Sequence, residues 1–515
     1  MNTRRRSRIW NAPSRSIPKI GDSRGRIPIS SRFAQTTRSA RRSTRRLCPA
    51  PTAGARCGHE PRDNHLVDVH IVVLAAGKGT RMKSARPKVL HRVAGSPMID
   101  AVLRTAASIA PRTTTIVIGH EAESLKAALS GQSGLAFVVQ EPQLGTAHAL
   151  LTTETALRGQ TGTLILLSGD VPMLSAQTLT NLVDRHISAR AAATVVTAVV
   201  ERPHGYGRIV RSGERIARIV EERDASSAER EIREINSGIY AFALDGLFDA
   251  VHAVAVENAQ REYYLPDLVA IYRQRGLGVE TLTVSNAEEI LGINSRAELA
   301  EVSRIVRQRK NDDLMAAGVT IEDPATTYVD DDVQVGADTI IRPGVSLEGK
   351  TTIGSGCEIH SGVRIIDSRI GDRVTVLNHC VITGATIEHD ARVGPFAHLR
   401  PEAHLRERAR VGNFVELKKT VLGAGSKSMH LAYLGDATIG ANVNIGAGTI
   451  TCNYDGVKKH QTVIEDGAFI GSDTQLIAPV TVGKGAYVGS GTTIRENVPP
   501  GALAVSAGKQ RNLEG

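Results

Sequence analysis

The second half of the chain places an aliphatic residue at every sixth position over long stretches. The positions are Val335, Ile341, Leu347, Ile353, Ile359 and Ile365, then Val381, Ile387, Val393, Leu399, Leu405, Val411 and Leu417, then Ile439, Ile445, Ile464, Ile470, Leu476, Val482, Val488 and Ile494. An α-helix cannot keep a period of six, whereas a coil of three short strands turns one residue in six inward. The repeat therefore predicts a parallel β-helix over residues 321–515, with one buried aliphatic column.

The low aromatic content agrees with this prediction. Aromatic residues make up 3% of the chain, and its one tryptophan is Trp10. A large core must therefore consist of Ile, Val, Leu and Ala, which a stack of coils can bury without aromatic side chains.

The period is interrupted in two segments, KKTVLGAGSKSMHLAYLG and CNYDGVKKHQT. Insertions in solenoid proteins often form the binding face. The first segment contains His430 and Tyr433, and the second contains Asn453, Tyr454 and Lys458, so both segments are expected to be loops beside a site.

Residues 66–294 follow a different pattern, in which short apolar runs alternate with helix-like segments. The runs are Ile71–Leu74, Thr115–Ile118, Phe137–Val139 and Leu164–Leu167, and the helical segments include Met98–Ala110 and Gly145–Leu157. This alternation predicts a mostly parallel sheet with helices on both faces. Ligands of such sheets bind beyond the carboxyl ends of the strands, so Asp170, after the fourth run, is a candidate site residue.

The segment AAGKGTRM follows the first apolar run. Gly77 and Gly79 allow the backbone to turn sharply, and successive N–H groups in such a turn attract anions. Positive charge from Lys78, Arg81, Lys83, Arg86 and Lys88 favours a phosphate ligand. The segment fits neither the Walker loop nor the dinucleotide fingerprint, and an ordinary glycine turn is the alternative.

Residues 295–320 connect the two patterns. Their apolar side chains have helical spacing, and Gly318 is a suitable stop signal. We expect a helical linker here, between a domain at 66–294 and the β-helix.

The positive charge of the chain is concentrated near its start. Residues 1–65 contain fifteen Arg, one Lys and three acidic residues, a net charge of +13, so the remaining 450 residues sum to −3. Because it has few large apolar residues, this segment is predicted to be a disordered basic arm. It could be an organelle transit peptide, a nucleic-acid-binding arm, or upstream sequence translated from a wrongly assigned start.

The spacing of the cysteines and the lack of a long apolar run bear on the cellular compartment of the protein. No two cysteines form a C-x-x-C pair, and no run of about 18 apolar residues could span a membrane. A reduced, cytoplasmic protein without a membrane segment is expected.

Longer motifs resemble those of sugar-1-phosphate nucleotidylyltransferases. LAAGKGTRM, PKVLH, QEPQLGTAHA, GYGRIV, EINSGIY and GIN occur in that family's order. GNFVELKK, HLAYLGD, NIGAGTITCNYDG and GSDTQLIAPV resemble its bifunctional bacterial members, which are N-acetylglucosamine-1-phosphate uridylyltransferases and glucosamine-1-phosphate acetyltransferases. The resemblance covers roughly residues 66–510. It implies an α/β fold, with an N-terminal Rossmann-like nucleotidylyltransferase domain followed by a C-terminal parallel β-helix of hexapeptide repeats.

The resemblance implies that the first domain transfers a uridylyl group from UTP to N-acetylglucosamine 1-phosphate and releases pyrophosphate. Such catalysis depends on positioning and on neutralising phosphoryl charge. By match to the family motifs, Arg81 and Lys88 clamp the phosphates, and Asp170 and Asn294 hold Mg²⁺ through oxygen atoms. The implied nucleotide and sugar contacts are Leu74, Ala75, Ala76, Gly77, Lys88, Gln140, Gly145, Thr146, Gly207, Glu221, Asn236 and Asn294.

The resemblance also implies acetyl transfer from acetyl-CoA to the amine of glucosamine 1-phosphate. An ammonium ion cannot attack a thioester, so a base must remove its proton, and His430 matches the family's base. The implied sugar-phosphate contacts are Arg400, Lys418, Tyr433, Asn444 and Asn453, and the implied acetyl-CoA contacts are Ala447, Tyr454, Ser472, Ser490 and Ala507. Ala507 stands where many members have an arginine that meets the CoA phosphates; Lys509 and Arg511 are the candidates to replace it.

A homotrimer is implied as well, because the family's acetyl-CoA groove lies between neighbouring chains. One alternative is a single-activity nucleotidylyltransferase whose β-helix serves assembly or regulation. His430 and the TCNYDG segment favour two activities, because assembly needs no base beside a groove. A nucleic-acid partner is not expected, since the chain beyond the arm is slightly acidic.

Overall fold

The computed structural model describes residues 67–119 and 121–506. The predicted basic arm and the predicted acetyl-CoA contact at Ala507, with Lys509 and Arg511, lie outside the described residues. All of the described residues belong to one compact unit.

The first part of the described chain is built on one large sheet with the strand order β11-β7-β10-β6-β1-β4-β5. Neighbouring strands are parallel except at β10, which is antiparallel to β6 and β7, and a hairpin of β8 and β9 extends from β10. The strands of this sheet are β1 Val69–Leu74, β4 Thr113–Ile118, β5 Leu135–Val139, β6 Thr163–Ser168, β7 Ala193–Val199, β8 Arg208–Ser212, β9 Arg215–Val220, β10 Glu234–Ala243 and β11 Val279–Val284. A separate antiparallel pair consists of β2 Arg92–Val93 and β3 Ser96–Pro97.

Apolar cores lie on both faces of this sheet. In β1, Ile71 and Val73 belong to one core and Val72 to the other, and all three are fully buried. A strand buried on both faces needs a continuous apolar run, which explains why the runs in the sequence do not alternate with polar residues.

Helices cover the sheet. The predicted helix Met98–Ala110 ends three residues earlier, at Ala107, and a second predicted helix is divided. The helices are α1 Met98–Ala107, α2 Ala122–Ala128, α3 Thr146–Leu151, α4 Glu154–Leu157, α5 Ala176–Ala189, α6 Ser227–Arg230, α7 Leu247–Val251, α8 Asp267–Gln274 and α9 Arg296–Ala316, with 3₁₀ turns at Thr80–Met82, Lys88–Leu90 and Ala287–Ile290. The segment predicted as one helix, Gly145–Leu157, is split between α3 and α4. Thr152 and Thr153 donate their hydroxyl groups to carbonyls three residues back, at 2.7 and 2.6 Å, and such bonds compete with a continuing helix.

Helix α9 joins the two folded parts and lies within the predicted linker. Its N-cap residue, Ser295, accepts a hydrogen bond from the backbone of Glu298 at 3.2 Å. Val302 and Ile305 pack into a core of the sheet domain, whereas Leu314 packs into the core of the β-helix. The helix therefore belongs to both hydrophobic cores.

The rest of the described chain is a prism with three faces, each a parallel sheet. The first face contains Thr320–Ile321, Ile340–Ile341, Glu358–Ile359, Thr375–Val376, Arg392–Val393, Arg410–Asn413, Lys427–His430, Asn444–Ile445, Phe469–Ile470, Tyr487–Val488 and Leu503–Ala504. The second contains Tyr328–Val329, Ser346–Glu348, Arg364–Ile366, Val381–Thr383, His398–Leu399, Glu416–Lys418, Tyr433–Gly435, Ile450–Cys452, Gln475–Ile477 and Thr493–Ile494. The third contains Gln334–Val335, Thr352–Ile353, Arg369–Ile370, Thr386–Ile387, His404–Leu405, Val421–Leu422, Ala437–Ile439, Thr462–Ile464 and Val480–Val482.

The inward positions of the prism follow the predicted repeat except near Val381. That residue is 37% exposed, and its neighbour Ile382 is the one that is fully buried. Ile341 pairs with Ile359, eighteen residues on, but Ile359 pairs with Val376, only seventeen on. The prediction for Val381 was wrong because some coils are one residue shorter, which shifts the phase of the repeat.

The first predicted interruption is also wrong, and the second is a true insertion. Residues 418–435 continue the coils, with Ser428 fully buried at an inward position, so His430 lies at the end of a regular strand rather than in a loop. In contrast, Ile445 pairs with Ile470, twenty-five residues on. The extra residues form a small hairpin in which Tyr454 pairs with Lys459.

Candidate active sites

A cavity of about 430 Å³ opens at the carboxyl ends of β1, β5 and β6. The predicted site residues that line it are Leu74, Ala75, Ala76, Gly77, Lys88, Gln140, Gly145, Thr146 and Asp170. The lining also contains Gln143, Ser168 and Glu262, which the sequence analysis did not select. Of these, Gln143 donates its amide to the carbonyl of Ala76 at 2.6 Å and so braces the glycine loop.

Lys88, Asp170 and Asn294 form a polar cluster at the edge of this cavity. The ammonium of Lys88 forms a salt bridge with Asp170 Oδ2 and donates to Asn294 Oδ1 at 2.8 Å. Asp170 and Asn294, the two predicted metal ligands, therefore both direct a side-chain oxygen at the Lys88 ammonium. Oxygen atoms are the ligands that Mg²⁺ prefers. Within 67–119 and 121–506 no group of three or more His, Cys, Asp or Glu side chains is placed to hold a metal. Phosphate and water oxygens would have to complete a coordination shell here.

Gln140 and Gly145, which also line the cavity, are held in place by their neighbours. Gln140 is buried, and its amide donates to the Gly145 carbonyl at 2.9 Å. Gly145 has a φ of 111°, and a Cβ on it would lie 2.6 Å from the Tyr263 carbonyl oxygen. Only glycine fits this turn.

Gly207, Glu221 and Asn236 meet beside β10, outside the lining of the cavity. Asn236 donates its backbone N–H to the Gly207 carbonyl at 2.9 Å, and its side-chain oxygen accepts from the Tyr240 hydroxyl at 3.0 Å. A Cβ on Gly207 would lie 3.3 Å from a carboxylate oxygen of Glu221. Burial, followed by the negative charge of Asp224, raises the pKa of Glu221.

Arg81 is not brought to the cavity. It is exposed on the 3₁₀ turn Thr80–Met82, and it has no ion pair or side-chain hydrogen bond to any described residue. Its predicted contact with phosphate therefore remains a prediction.

The second group of predicted residues lies along one edge of the prism, between its first and second faces. Asn413 and His430 are partners on neighbouring strands, and His430 Nδ1 lies 2.7 Å from Asn413 Oδ1. Farther along the edge, Ala447 accepts a backbone hydrogen bond from Asp473 at 2.6 Å. This bond and a 2.8 Å bond to the Ser472 carbonyl keep three predicted acetyl-CoA residues in register, namely Ala447, Ser472 and Ser490. The proposed base and this part of the predicted groove are thus neighbouring rungs of one column.

Most of the predicted sugar-phosphate residues lie on the adjoining second face. Arg400 donates to Glu416 at 2.8 Å, and Glu416 pairs with Tyr433 on the next strand. The Lys459 ammonium, next to that of Lys418, lowers the pKa of Lys418. Two ammonium groups in contact favour an anion between them, because an anion removes their mutual repulsion.

The remaining predicted residues lie close to this group. Asn453 is buried and donates its amide to Asp436. Asn444 is on the first face, in register with Lys427, and Tyr454 is exposed on the inserted hairpin.

Two polar residues of this region were missed in the sequence. Asn413 lies in GNFVELKK and Lys459 in the inserted hairpin. The sequence does not show that Asn413 lies beside His430 or Lys459 beside Lys418, because the stacking of the coils brings each pair together. A spacing of one coil from His430 could have identified Asn413.

Known protein families match both folded parts of the chain. Residues 71–238 match the MobA-like NTP transferase domain, and residues 332–367 and 461–496 match the bacterial transferase hexapeptide, in six repeats. These matches confirm the predicted order of a nucleotidyltransferase domain and a hexapeptide β-helix.

Curated relatives match across almost their whole length. Bifunctional protein GlmU of Pelobacter propionicus is 50% identical over 449 residues, which cover 87% of this chain and 98% of that one. The GlmU proteins of Trichlorobacter lovleyi and Syntrophotalea carbinolica are 50% and 51% identical, over 86% and 85% of this chain and 97% and 95% of theirs. Among solved structures, a putative glucose-1-phosphate thymidylyltransferase from Bacillus anthracis is 20% identical over 46% of this chain and 95% of its own, with a TM-score of 0.38. Because the identity to the GlmU relatives extends over both folded parts, the chain belongs to the family of bifunctional GlmU proteins.

Proposed function

We propose that this enzyme makes UDP-N-acetylglucosamine in two steps, at two separate sites. The β-helix acetylates glucosamine 1-phosphate with acetyl-CoA, and the sheet domain then joins the product to the uridylyl group of UTP and releases pyrophosphate. The observation that carries this proposal is a match of about half the residues to bifunctional relatives over 98% of their length. A match confined to one domain would support one activity only.

In the uridylyl step, an oxygen of the sugar phosphate forms a bond to the α-phosphorus of UTP, and the bond from that phosphorus to the departing pyrophosphate breaks. The chain's part is to position the reactants and to neutralise charge. Lys88 supplies a cation inside the cavity, and Gln140, which lines the same cavity, would contact the uracil. Asp170 and Asn294 would hold Mg²⁺, which when bound supplies positive charge to phosphate oxygens.

In the acetyl step, His430 takes a proton from the ammonium of glucosamine 1-phosphate. The freed amine forms a bond to the acetyl carbonyl carbon, and the carbon–sulfur bond breaks with its electron pair going to sulfur. The nitrogen gives up one further proton as the amide forms, and the departing thiolate takes up a proton and leaves as the CoA thiol. The hydrogen bond to Asn413 supports this role, because an amide oxygen beside Nδ1 favours the tautomer with its proton there. Nε2 is then left as the acceptor. Lys418 and Lys459 would meet the phosphate of the same substrate.

A single-activity nucleotidylyltransferase is the competing function. It would need no oriented imidazole and no pair of adjacent ammonium groups on the β-helix. These two features favour a catalytic β-helix.

We also propose that the enzyme is a homotrimer. A column of exposed apolar side chains, Phe396, Phe414 and Leu431, lies on the same edge of the prism as His430. Phe396 and Phe414 are stacked with ring centroids 5.5 Å apart, and Phe414 and Leu431 are 57% and 61% exposed. A neighbouring chain that covers this column would also close a groove beside His430. Sedimentation should give three times the chain mass, and a monomer with full acetyltransferase activity would contradict both the assembly and the shared groove.

We propose a cytoplasmic location. Cys357, Cys380 and Cys452 form no disulfide, which supports the proposal of a reducing, cytoplasmic compartment. No helix of the described residues is long and apolar enough to cross a membrane.

The experiment is to assay the purified protein for each half-reaction. Free thiol should appear from acetyl-CoA and glucosamine 1-phosphate, and pyrophosphate from UTP and N-acetylglucosamine 1-phosphate. Pyrophosphate release without thiol release would favour the single-activity alternative.

A further inference from the structure

A second cavity of about 340 Å³ adjoins the nucleotide cavity. The two share Gly77 and Lys78 in their linings, so both lie against the glycine loop. Lys83 and Arg86 line the second cavity and lie between the segments LAAGKGTRM and PKVLH, outside the motifs that carry the family resemblance.

The second cavity is strongly positive. Its lining contains three cationic side chains, Lys78, Lys83 and Arg86, and one carboxylate, that of Glu121. None of the three cations has an ion pair or a side-chain hydrogen bond with any residue that the structure describes. Three cations against one carboxylate give the lining an excess of positive charge, and a multivalent anion would offset the repulsion among the cations.

The backbone at this place is also strained. The 3₁₀ turn Thr80–Met82 is flanked by Gly79 at a φ of 57° and by Lys83 at 47°. Glycine adopts this left-handed conformation freely, but a lysine there costs about 1–2 kcal/mol. Such strain tends to persist at ligand clamps, where the surrounding structure holds it. The strained residue Lys83 is itself part of the lining of the second cavity.

We propose that Lys83 and Arg86 hold the pyrophosphate end of the reacting nucleotide in this second cavity. The inference rests on the proposed uridylyl transfer. The α-phosphorus would react near Lys88 in the first cavity, and the β- and γ-phosphates would extend past Gly77 and Lys78 into the second. When the bond from the α-phosphorus breaks, the electron pair leaves with pyrophosphate, and Lys83 and Arg86 face the charge that develops on it.

The test uses the reverse reaction, in which UDP-N-acetylglucosamine and pyrophosphate give UTP and N-acetylglucosamine 1-phosphate. The double variant Lys83→Gln, Arg86→Gln should raise KM for pyrophosphate at least about tenfold, as expected for the loss of one charge-assisted contact or more. KM for UDP-N-acetylglucosamine should change much less, because that substrate has no phosphate beyond the first cavity. A general loss of structure would move both constants.

The matched control is the double variant Arg158→Gln, Arg190→Gln. It removes the same amount of charge from the same domain, and both residues precede the amino ends of sheet strands, at the edge opposite the cavities. If the control raises KM for pyrophosphate as much as the test variant, only long-range charge is involved and the inference is overturned. An unchanged KM in the test variant overturns it as well, while uridylyl transfer stands. A wild-type protein that is inactive in both directions would instead remove the proposed function on which the inference rests.

Discussion

His430 Nδ1 lies 2.7 Å from Asn413 Oδ1, although seventeen residues separate them in the sequence. One turn of the β-helix returns the chain to the same edge of the prism. A side chain at the end of one strand can therefore orient the side chain at the end of the corresponding strand in the next coil. This pairing is what turns an exposed histidine into a candidate base with a defined tautomer.

Asn413→Ala should therefore weaken acetyl transfer and leave uridylyl transfer unchanged. We expect a loss of about tenfold, smaller than the ~10²–10⁴-fold that a general base contributes. Thiol release measures the effect. Asn413→Asp keeps an oxygen acceptor for Nδ1 and should retain more activity than the alanine variant. Equal activity of Asn413→Ala and wild type would show that the amide does not orient the base.

Glu221 should make the stability of the protein depend on pH. Burial, and then the nearby carboxylates of Asp224 and Asp267, raises its pKa in the folded protein. The folded state therefore holds this proton more tightly than the unfolded state. The resulting stability is fully present below the pKa of an unfolded glutamic acid, near about 4.3, and is lost as pH rises through the raised value.

Glu221→Gln removes this loss, because the amide stays neutral at every pH. The Tm of the variant should exceed that of wild type at neutral pH, and the difference should shrink as the pH approaches about 4. KM for N-acetylglucosamine 1-phosphate should rise, since the proposed sugar contact is altered. Glu201→Gln, at an exposed position, is the control and should leave both quantities near wild type. A Tm difference that stays constant with pH would contradict the assignment.

Lys459→Gln should raise KM for glucosamine 1-phosphate by about tenfold, because one of two ammonium groups proposed to meet the phosphate is lost. Its removal also relieves the repulsion that lowers the pKa of Lys418. Lys458→Gln, on the same hairpin, serves as the control for charge. If Lys458→Gln and Lys459→Gln have the same effect, the hairpin contributes only a general positive field.

Deletion of residues 1–65 should leave both activities intact. The family match to the nucleotidyltransferase domain begins at residue 71, beyond the basic arm. Steady-state assays of the shortened protein in each half-reaction check this. A clear loss of either activity would assign the arm a role in catalysis or folding.

The sequence determines the β-helix well because the inward residue of most strands is aliphatic. This rule identifies Ile341, Ile359 and Ile470 without any structure. It fails at Val381, six residues before Ile387, since the step from the inward Ile382 to the inward Ile387 is only five residues.

The active sites were predicted less completely. The motifs indicated His430 and Lys88, but Asn413 and Lys459 reach their positions only through pairing between coils and through the inserted hairpin. A single sequence does not signal which residues come to lie one coil apart when coils differ in length. Arg81 shows the converse case, because it lies in a strong motif but does not line the cavity.

The central claim is that one chain contains two independent catalytic sites, and separating them by single substitutions tests it most directly. Asp170→Ala and His430→Ala are each assayed for pyrophosphate release and for thiol release. Asp170→Ala should lose uridylyl transfer by at least about 10²-fold and keep acetyl transfer, because it removes charge neutralisation at the first site only.

His430→Ala should lose acetyl transfer by about 10²–10⁴-fold and keep uridylyl transfer from supplied N-acetylglucosamine 1-phosphate. Full thiol release by His430→Ala, or loss of both activities in either folded variant, would contradict the account.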